Sequence, residues 1–248
     1  TGDLYPEHVL AMDPSGGLDE VPGVKTEDPT FGLPATWVSD KHKSEAEVLG
    51  YTVVDPESVM VTHLTEIVKE HADELLSRED VQKALDRVKE TNPTVVNELV
   101  PDVLGIGVVQ RVLKNLLRDR IPIRNMVAIL ETLSDAGAEQ KDPDQLTELV
   151  RARLSRTIAE ICSAPSGKIE ALTLAPTLEQ EALQTLVAPT DGNPQNGAAL
   201  LHRMQEAICS SWQRAQSNGH DPVLLVRAPL RRHLSELLRA LKPPISVL

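Results

Sequence analysis

Apolar residues recur with helical period through the middle of the chain. Ile106, Val109, Val112, Leu113, Leu116 and Leu117 fall on one face of a helix. Met126, Val127, Ile129, Leu130 and Leu133 form a second stripe, and Ile121-Pro122-Ile123 breaks the chain between the two. Asp142-Pro143 caps a last long helix running through Leu146, Leu149, Val150, Leu154, Ile158 and Ile161. The aspartate accepts from first-turn N–H groups, and proline there gives up only an N–H that has no helical partner. Val95, Val96, Leu99 and Val100 form a short apolar turn that stops at Pro101. Helices with one apolar face each, joined by short loops, predict a compact helical subdomain over 93–164. Ahead of it, Ser77-Arg78-Glu79-Asp80 opens a helix on which Val81, Ala84, Leu85 and Val88 make a stripe. Asp55-Pro56-Glu57 opens a longer one, with Val59, Leu64, Ile67, Val68, Leu75 and Leu76 near one face.

The two ends follow other patterns. The first 51 residues hold Pro14, Gly16, Gly17, Pro22, Gly23, Pro29, Gly32 and Pro34, too many breakers for continuous helix. They predict short strands and turns, a polar helix near 39–49 closed by Gly50, and a strand at Tyr51–Val54. In the last third, 169–174 and 223–226 read as strands, with helices at 178–187, 198–217 and 230–241 and another strand start at 245–248. Strand, helix, helix, strand, helix, strand predicts a small α/β layer with parallel pairing. Residues 190–197 read as a mobile loop. The fold class is therefore α+β and multi-subdomain: a small α/β piece at about 14–64, a central helical subdomain, and a C-terminal mixed α/β layer.

Charge sharpens this division. The 248 residues carry a net charge of -12, and residues 1–64 contribute -9 of it, with 3 Lys, no Arg and 12 acids. A chain with no dominant basic face is a poor ligand for nucleic acid or anionic lipid, because phosphate binding needs concentrated Lys and Arg. Arg227, Arg231 and Arg232 read as a solvated helix start. Cys162 and Cys209 sit in helical patterns and read as two buried thiols in a reducing compartment. No run reaches the ~18 apolar residues of a membrane span. Thr1 and Leu248 read as cuts from a longer chain.

Catalytic signatures are absent. The seven histidines make no HExxH and no close His/Cys set, so no metal or cofactor is expected. His63, with Asp28 as an orienting carboxylate, has no evident nucleophile beside it, and a packed or hydrogen-bonding histidine is the simpler reading.

One segment stands apart. Phe31 is the single Phe of the chain, within Asp28-Pro29-Thr30-Phe31-Gly32-Leu33-Pro34. Its Pro and Gly neighbours impose a rigid, non-helical turn. Such a turn either holds an apolar ring at the surface beside an acid, as a partner hot spot does, or plugs the core of a small subdomain.

The segments Asp28–Val38, Gly50–Asp55 and Thr62-His63-Leu64 resemble the FlhA/InvA (FHIPEP) family of type III secretion export-gate proteins. Leu99-Val100-Pro101, Val112–Leu117, Ile121–Met126, Ile129–Leu133 and Pro222–Val226 continue the likeness in order along essentially the whole chain. Tyr51–Asp55 and Ile121–Met126 resemble the flagellar branch more than the injectisome branch, which stands as the alternative; Asn125 stands where that family has an aspartate. The resemblance implies the C-terminal cytoplasmic domain of an inner-membrane protein, soluble as this fragment and reaching the membrane only through a missing N-terminal half. It implies a docking platform and not an enzyme, an enzyme with an unrecognised site being the remote reading. The partners it implies are export chaperone–substrate complexes, the ATPase complex, the substrate-specificity switch protein, and eight further copies in a nine-membered ring. It divides the chain into 1–14 with 65–92 as the remainder of a first subdomain, 15–64 as a second carrying the docking motif, 93–164 and 165–248. The docking residues it implies are Asp28, Phe31 and Thr62.

Overall fold

A computed structural model describes residues 5, 7–13, 18, 20–30, 32–164, 166–187, 194–239, 241 and 245–248. The chain divides into two units, Thr1–Ala72 and Asp73–Leu248.

The first unit is built on a four-stranded antiparallel sheet. Its strands are β1 (His8–Met12), β2 (Val24–Glu27), β3 (Pro34–Ser39) and β4 (Thr52–Val54), in the order β2-β3-β1-β4. Leu10 pairs with Trp37 on one side and Val54 on the other, and Trp37 pairs with Val24, so one row of side chains crosses the whole sheet. Alternation along each strand then gives the sheet two apolar faces. Val9, Ala11 and Val38 pack with Ala46 of α1 (Lys43–Val48) on one face. Leu10, Ala35 and Trp37 pack with Val59 of α2 (Pro56–Glu70) on the other. Gly23 lies flat against the sheet: an added Cβ would sit 2.2 Å from the Trp37 carbonyl oxygen.

The second unit has two apolar cores. Helices α3 (Ala72–Leu75), α4 (Arg78–Thr91), α5 (Pro93–Glu98), α6 (Ile106–Arg118), α7 (Met126–Gly137), α8 (Pro143–Arg153) and α9 (Ser155–Cys162) run in sequence. Those from α4 on surround a core that includes Leu85, Leu113, Leu116, Leu130, Leu133 and Leu146, all essentially unexposed. Ser77 and Asp80 form a reciprocal capping box at the start of α4, and Asp142 caps α8 by accepting from the Asp144 N–H. The helix expected over Asp142–Ile161 is broken at Leu154, which leaves helical geometry with its side chain in the core. Packing of Leu154 outweighs the continuous helix, and Leu149 and Ile161 end up exposed.

Beyond α9 come β5 (Ala171–Thr173), α10 (Pro176–Ala182), α11 (Pro194–Ser217), β6 (Val223–Leu225) and α12 (Ala228–Leu238). β5 and β6 pair in parallel, and Val247 bridges Leu224 in parallel from the other side. This is the small parallel layer that the alternating pattern predicts. Leu200, Met204, Ile208, Leu230, Leu234 and Leu238 form its core. The loop expected at 190–197 gives way to helix from Pro194 onward, while 190–193 lie outside the described residues.

The arginine cluster departs from expectation. Arg231 is not solvated: it is 7% exposed and donates to Glu148 and Asp119. Arg227 pairs with Glu179 and Arg232 with Asp144. A guanidinium buried this deeply persists only because carboxylates meet it.

Candidate functional site

The Pro/Gly-rich segment is the loop of a β-hairpin. Glu27 ends β2 opposite Pro34, which begins β3, and residues 28–33 close the turn. Proline is tolerated at that first strand position. The Asp28 N–H donates to the Leu33 carbonyl at 2.8 Å, and the Gly32 N–H donates to the Asp28 carbonyl at 2.9 Å. The Asp28 carboxylate accepts from the Thr30 N–H at 3.1 Å, an Asx turn. One residue thus holds the loop at three points. Gly32 takes φ +67, the left-handed region that an L side chain enters only with strain.

The loop's chemistry follows from burial. Asp28 is 5% exposed, so its carboxylate serves the loop backbone from beneath the surface. Phe31 lies outside the described residues. Thr30, which the sequence did not single out, has a buried hydroxyl with no hydrogen-bond partner among the described residues. Its signal was its place two residues after an aspartate in a Pro-led turn.

Thr62 stands on α2. Asp55 caps that helix, its carboxylate accepting from both the N–H and the hydroxyl of Ser58, at 2.8 and 2.7 Å. Those bonds hold the Asp55 carboxyl below its ordinary value. The cap fixes the helix start, and Val59 anchors the first turn to the sheet. Thr62 follows Val59 by three residues and so borders the sheet-packed side, with its side chain exposed. His63 beside it is half-buried. Asp28 and Thr62 therefore belong to one unit but to different elements, a hairpin loop and a helix.

The face of α2 turned from the sheet is apolar. Met60, Val61, Leu64, Ile67 and Val68 are 40% to 64% exposed, and of the residues expected along one stripe only Val59 is buried in this helix. A wide depression at the N-terminal end of α2 is lined by Tyr5, His8, Asp40, Lys43 and Asp55. Among the described residues no set of three His, Cys, Asp or Glu could hold a metal ion. No helix among them is long and apolar enough to cross a membrane. Cys162 and Cys209 are half-buried free thiols, and burial pushes the Cys162 thiol up.

Comparison with known proteins adds the following. The FHIPEP family matches residues 1–248. The flagellar biosynthesis protein FlhA of Escherichia coli (strain K12) is 38% identical over 248 residues, all of this chain and 35% of that protein. The chain thus spans about a third of that relative's length. In solved structures, the Chlamydia pneumoniae CdsV and CdsO complex contains a chain with TM-score 0.79 at 24% identity, covering 100% of this chain and 73% of that one. The nonameric SctV-C of EPEC gives TM-score 0.72 at 18% identity, covering 99% and 74%.

Proposed function

The chain belongs to the FHIPEP family, and from that membership we propose that it is the cytoplasmic docking platform of a flagellar type III protein export gate. It binds export chaperone–substrate complexes and passes substrates toward the membrane channel. The observation that carries this reading is the match to a flagellar relative along the entire chain. The injectisome role is the second reading; the solved neighbours, at their identities, speak for the fold alone.

The docking residues are Phe31, Thr62 and Asp28. Around Phe31, the bonds of Asp28 to Thr30, Gly32 and Leu33 tie the flanking backbone before any partner arrives, which lowers the conformational entropy lost there on binding. Burying a phenylalanine ring against a partner contributes about 1.5–3 kcal/mol. Thr62 offers a hydroxyl and a methyl from a helix whose start is fixed by its cap. Asp28 is a positioning residue: buried under the loop, it acts on the partner by setting the turn.

In the longer protein this domain sits at the cytoplasmic side of the bacterial inner membrane. It assembles there as a ring of nine, as SctV-C does, and meets the ATPase complex and the specificity-switch protein. It works by binding and has no catalytic step. Within it, 15–64 carries the docking motif and 93–164 and 165–248 form the body.

Calorimetric titration tests the proposal. A purified flagellar export chaperone bound to its substrate is titrated into the 248-residue chain and into Thr62→Asp. Saturable binding that the variant weakens supports the platform. An absence of heat at ~100 μM, about 5.5 kcal/mol on the affinity scale, sinks it.

A further inference from the structure

The chain is acidic as a whole, yet its second unit holds a cleft where cations outnumber acids. The cleft, of about 140 Å³, lies between α6, α8 and α12, and five arginines and four acids line it. Arg111 and Arg118 come from α6, Arg231 and Arg232 from α12, and Arg239 from the residue that closes α12.

The floor of the cleft is satisfied within the chain. Asp119 Oδ2 accepts from Arg151 Nη1 of α8 at 2.8 Å and from Arg231 Nη1 at 2.9 Å, and Ser235 donates to its Oδ1 at 3.3 Å. Both carboxylate oxygens of Glu148 accept from Arg231. Asp144 accepts from Asn115 at 2.9 Å and meets Arg232 at 2.8 Å, and Arg118 is held by Asp73 at 2.7 Å. These acids are spent on guanidinium groups, and they hold those groups in place. The rim is different. Arg111 is exposed, and among the described residues no acid pairs with it. Arg239 is 43% exposed and reaches only Asp119, at 4.0 Å, a carboxylate that Arg151 and Arg231 already share.

We propose that this cleft docks an acidic peptide segment of a protein partner, whose carboxylates take the two unmatched arginines at its rim. A guanidinium meets a carboxylate through two parallel N–H bonds, and neither Arg111 nor Arg239 has those bonds engaged within the chain. Spacing favours a segment over a small ion. Arg111 stands eight residues before Asp119, about 12 Å along a helix at ~1.5 Å per residue, and Arg239 lies at the Asp119 end. A lone phosphate is too small to engage both ends of that span. Four residues of extended chain, at about 3.3 Å each, carry acids to both. Charge also selects the place: with a net charge of -12, the chain repels an acidic segment over most of its surface, and this cleft is where cations prevail. The site lies in the second unit and does not depend on the docking role proposed above for the first.

Fluorescence anisotropy of labelled hexaglutamate, titrated with the 248-residue chain, tests it. The parent chain is compared with the double variant Arg111→Gln, Arg239→Gln. The control is Arg87→Gln, Arg156→Gln, which removes the same charge from exposed sites on α4 and α9. Saturable binding is expected at ~50 mM salt, weakening at ~300 mM as the charges are screened. The cleft variant is expected to weaken it at least about fivefold, the scale of two exposed ion pairs, and the control by less than about twofold. Inorganic phosphate at ~10 mM, with ionic strength held constant, is expected to leave the peptide bound. If the double variant does not fold, Arg111→Gln alone carries the test. Absence of saturable binding, or equal loss in the cleft variant and the control, overturns the proposal. So does displacement by phosphate, which makes the cleft a site for free oxyanions and not for a peptide.

Discussion

The carboxylate of Asp28 accepts a hydrogen bond from the backbone N–H of Thr30 at 3.1 Å, one residue before Phe31. The acid of the motif thus holds the backbone next in sequence to its aromatic residue. Asp28→Ala leaves the Thr30 N–H and the hairpin short of an acceptor in a buried place, which costs about 1–3 kcal/mol. Urea denaturation followed by Trp37 fluorescence, in a Trp212→Phe background, reads this unit by itself. A lowered midpoint is expected; an unchanged one would remove Asp28 from the loop's support.

Gly23 makes a second test of the same sheet. A Cβ at this position would meet backbone, the Trp37 carbonyl, which has no rotamer to escape into. Gly23→Ala is expected to destabilise the first unit by about 1–3 kcal/mol. Thermal melting of the variant, with a midpoint equal to that of the parent chain, would show that the β2–β3 hairpin yields more freely than this.

Leu113 and Leu64 lie on helices of similar length in opposite environments. Leu113 is 0% exposed in the helical core, and Leu64 is 62% exposed on α2. Leu113→Ala is expected to cost about 2–5 kcal/mol, and Leu64→Ala to stay within about 0.5 kcal/mol. Chemical denaturation of both variants checks the contrast, and equal costs would contradict it.

Acid reaches the helix caps late. Hydrogen bonds from the backbone and hydroxyl of Ser58 lower the Asp55 pKa, and those from Ser77 lower that of Asp80. A carboxyl depressed in the folded state adds stability above its unfolded pKa and loses it as pH falls through the folded value. The starts of α2 and α4 are therefore expected to fray only below about pH 4. Chemical-shift titration of the Ser58 and Asp80 amides should show midpoints under the ordinary aspartate value, and Asp55→Asn, which caps without titrating, should abolish the first. Ordinary midpoints would mean that the caps are not formed in solution.

Much of this architecture was legible from local pattern. The stripe Ile106–Leu116, the Asp55 and Asp142 caps and the alternation of strand and helix after residue 169 each depend on neighbours within a few turns, which periodicity and capping chemistry report directly. Arg231 was misread because its partners lie 83 and 112 residues away, and nothing in the tripeptide around it announces a carboxylate waiting on another helix. The apolar residues of α2 carry a related lesson: periodicity finds an apolar face but does not say which face meets a sheet, and in α2 it is the Val59 side that packs on it. The break at Leu154 came from a core demand, not from a Gly or Pro. Of the candidate site, the hairpin turn was readable from Pro29, Gly32 and Pro34. The burial of Asp28 was not, since an aspartate in a turn is ordinarily solvated.

The docking claim turns on Phe31. Calorimetric titration of a chaperone–substrate complex into Phe31→Ala, beside a thermal melt of the same protein, reads affinity and folding together. The account predicts binding weakened at least tenfold, about 1.4 kcal/mol, with the melting midpoint within a degree or two of the parent chain. Unchanged affinity would contradict it. So would a collapse of the fold by the 3–5 kcal/mol, roughly, that deleting a core phenylalanine costs, for then the ring plugs the core and is no anchor for a partner.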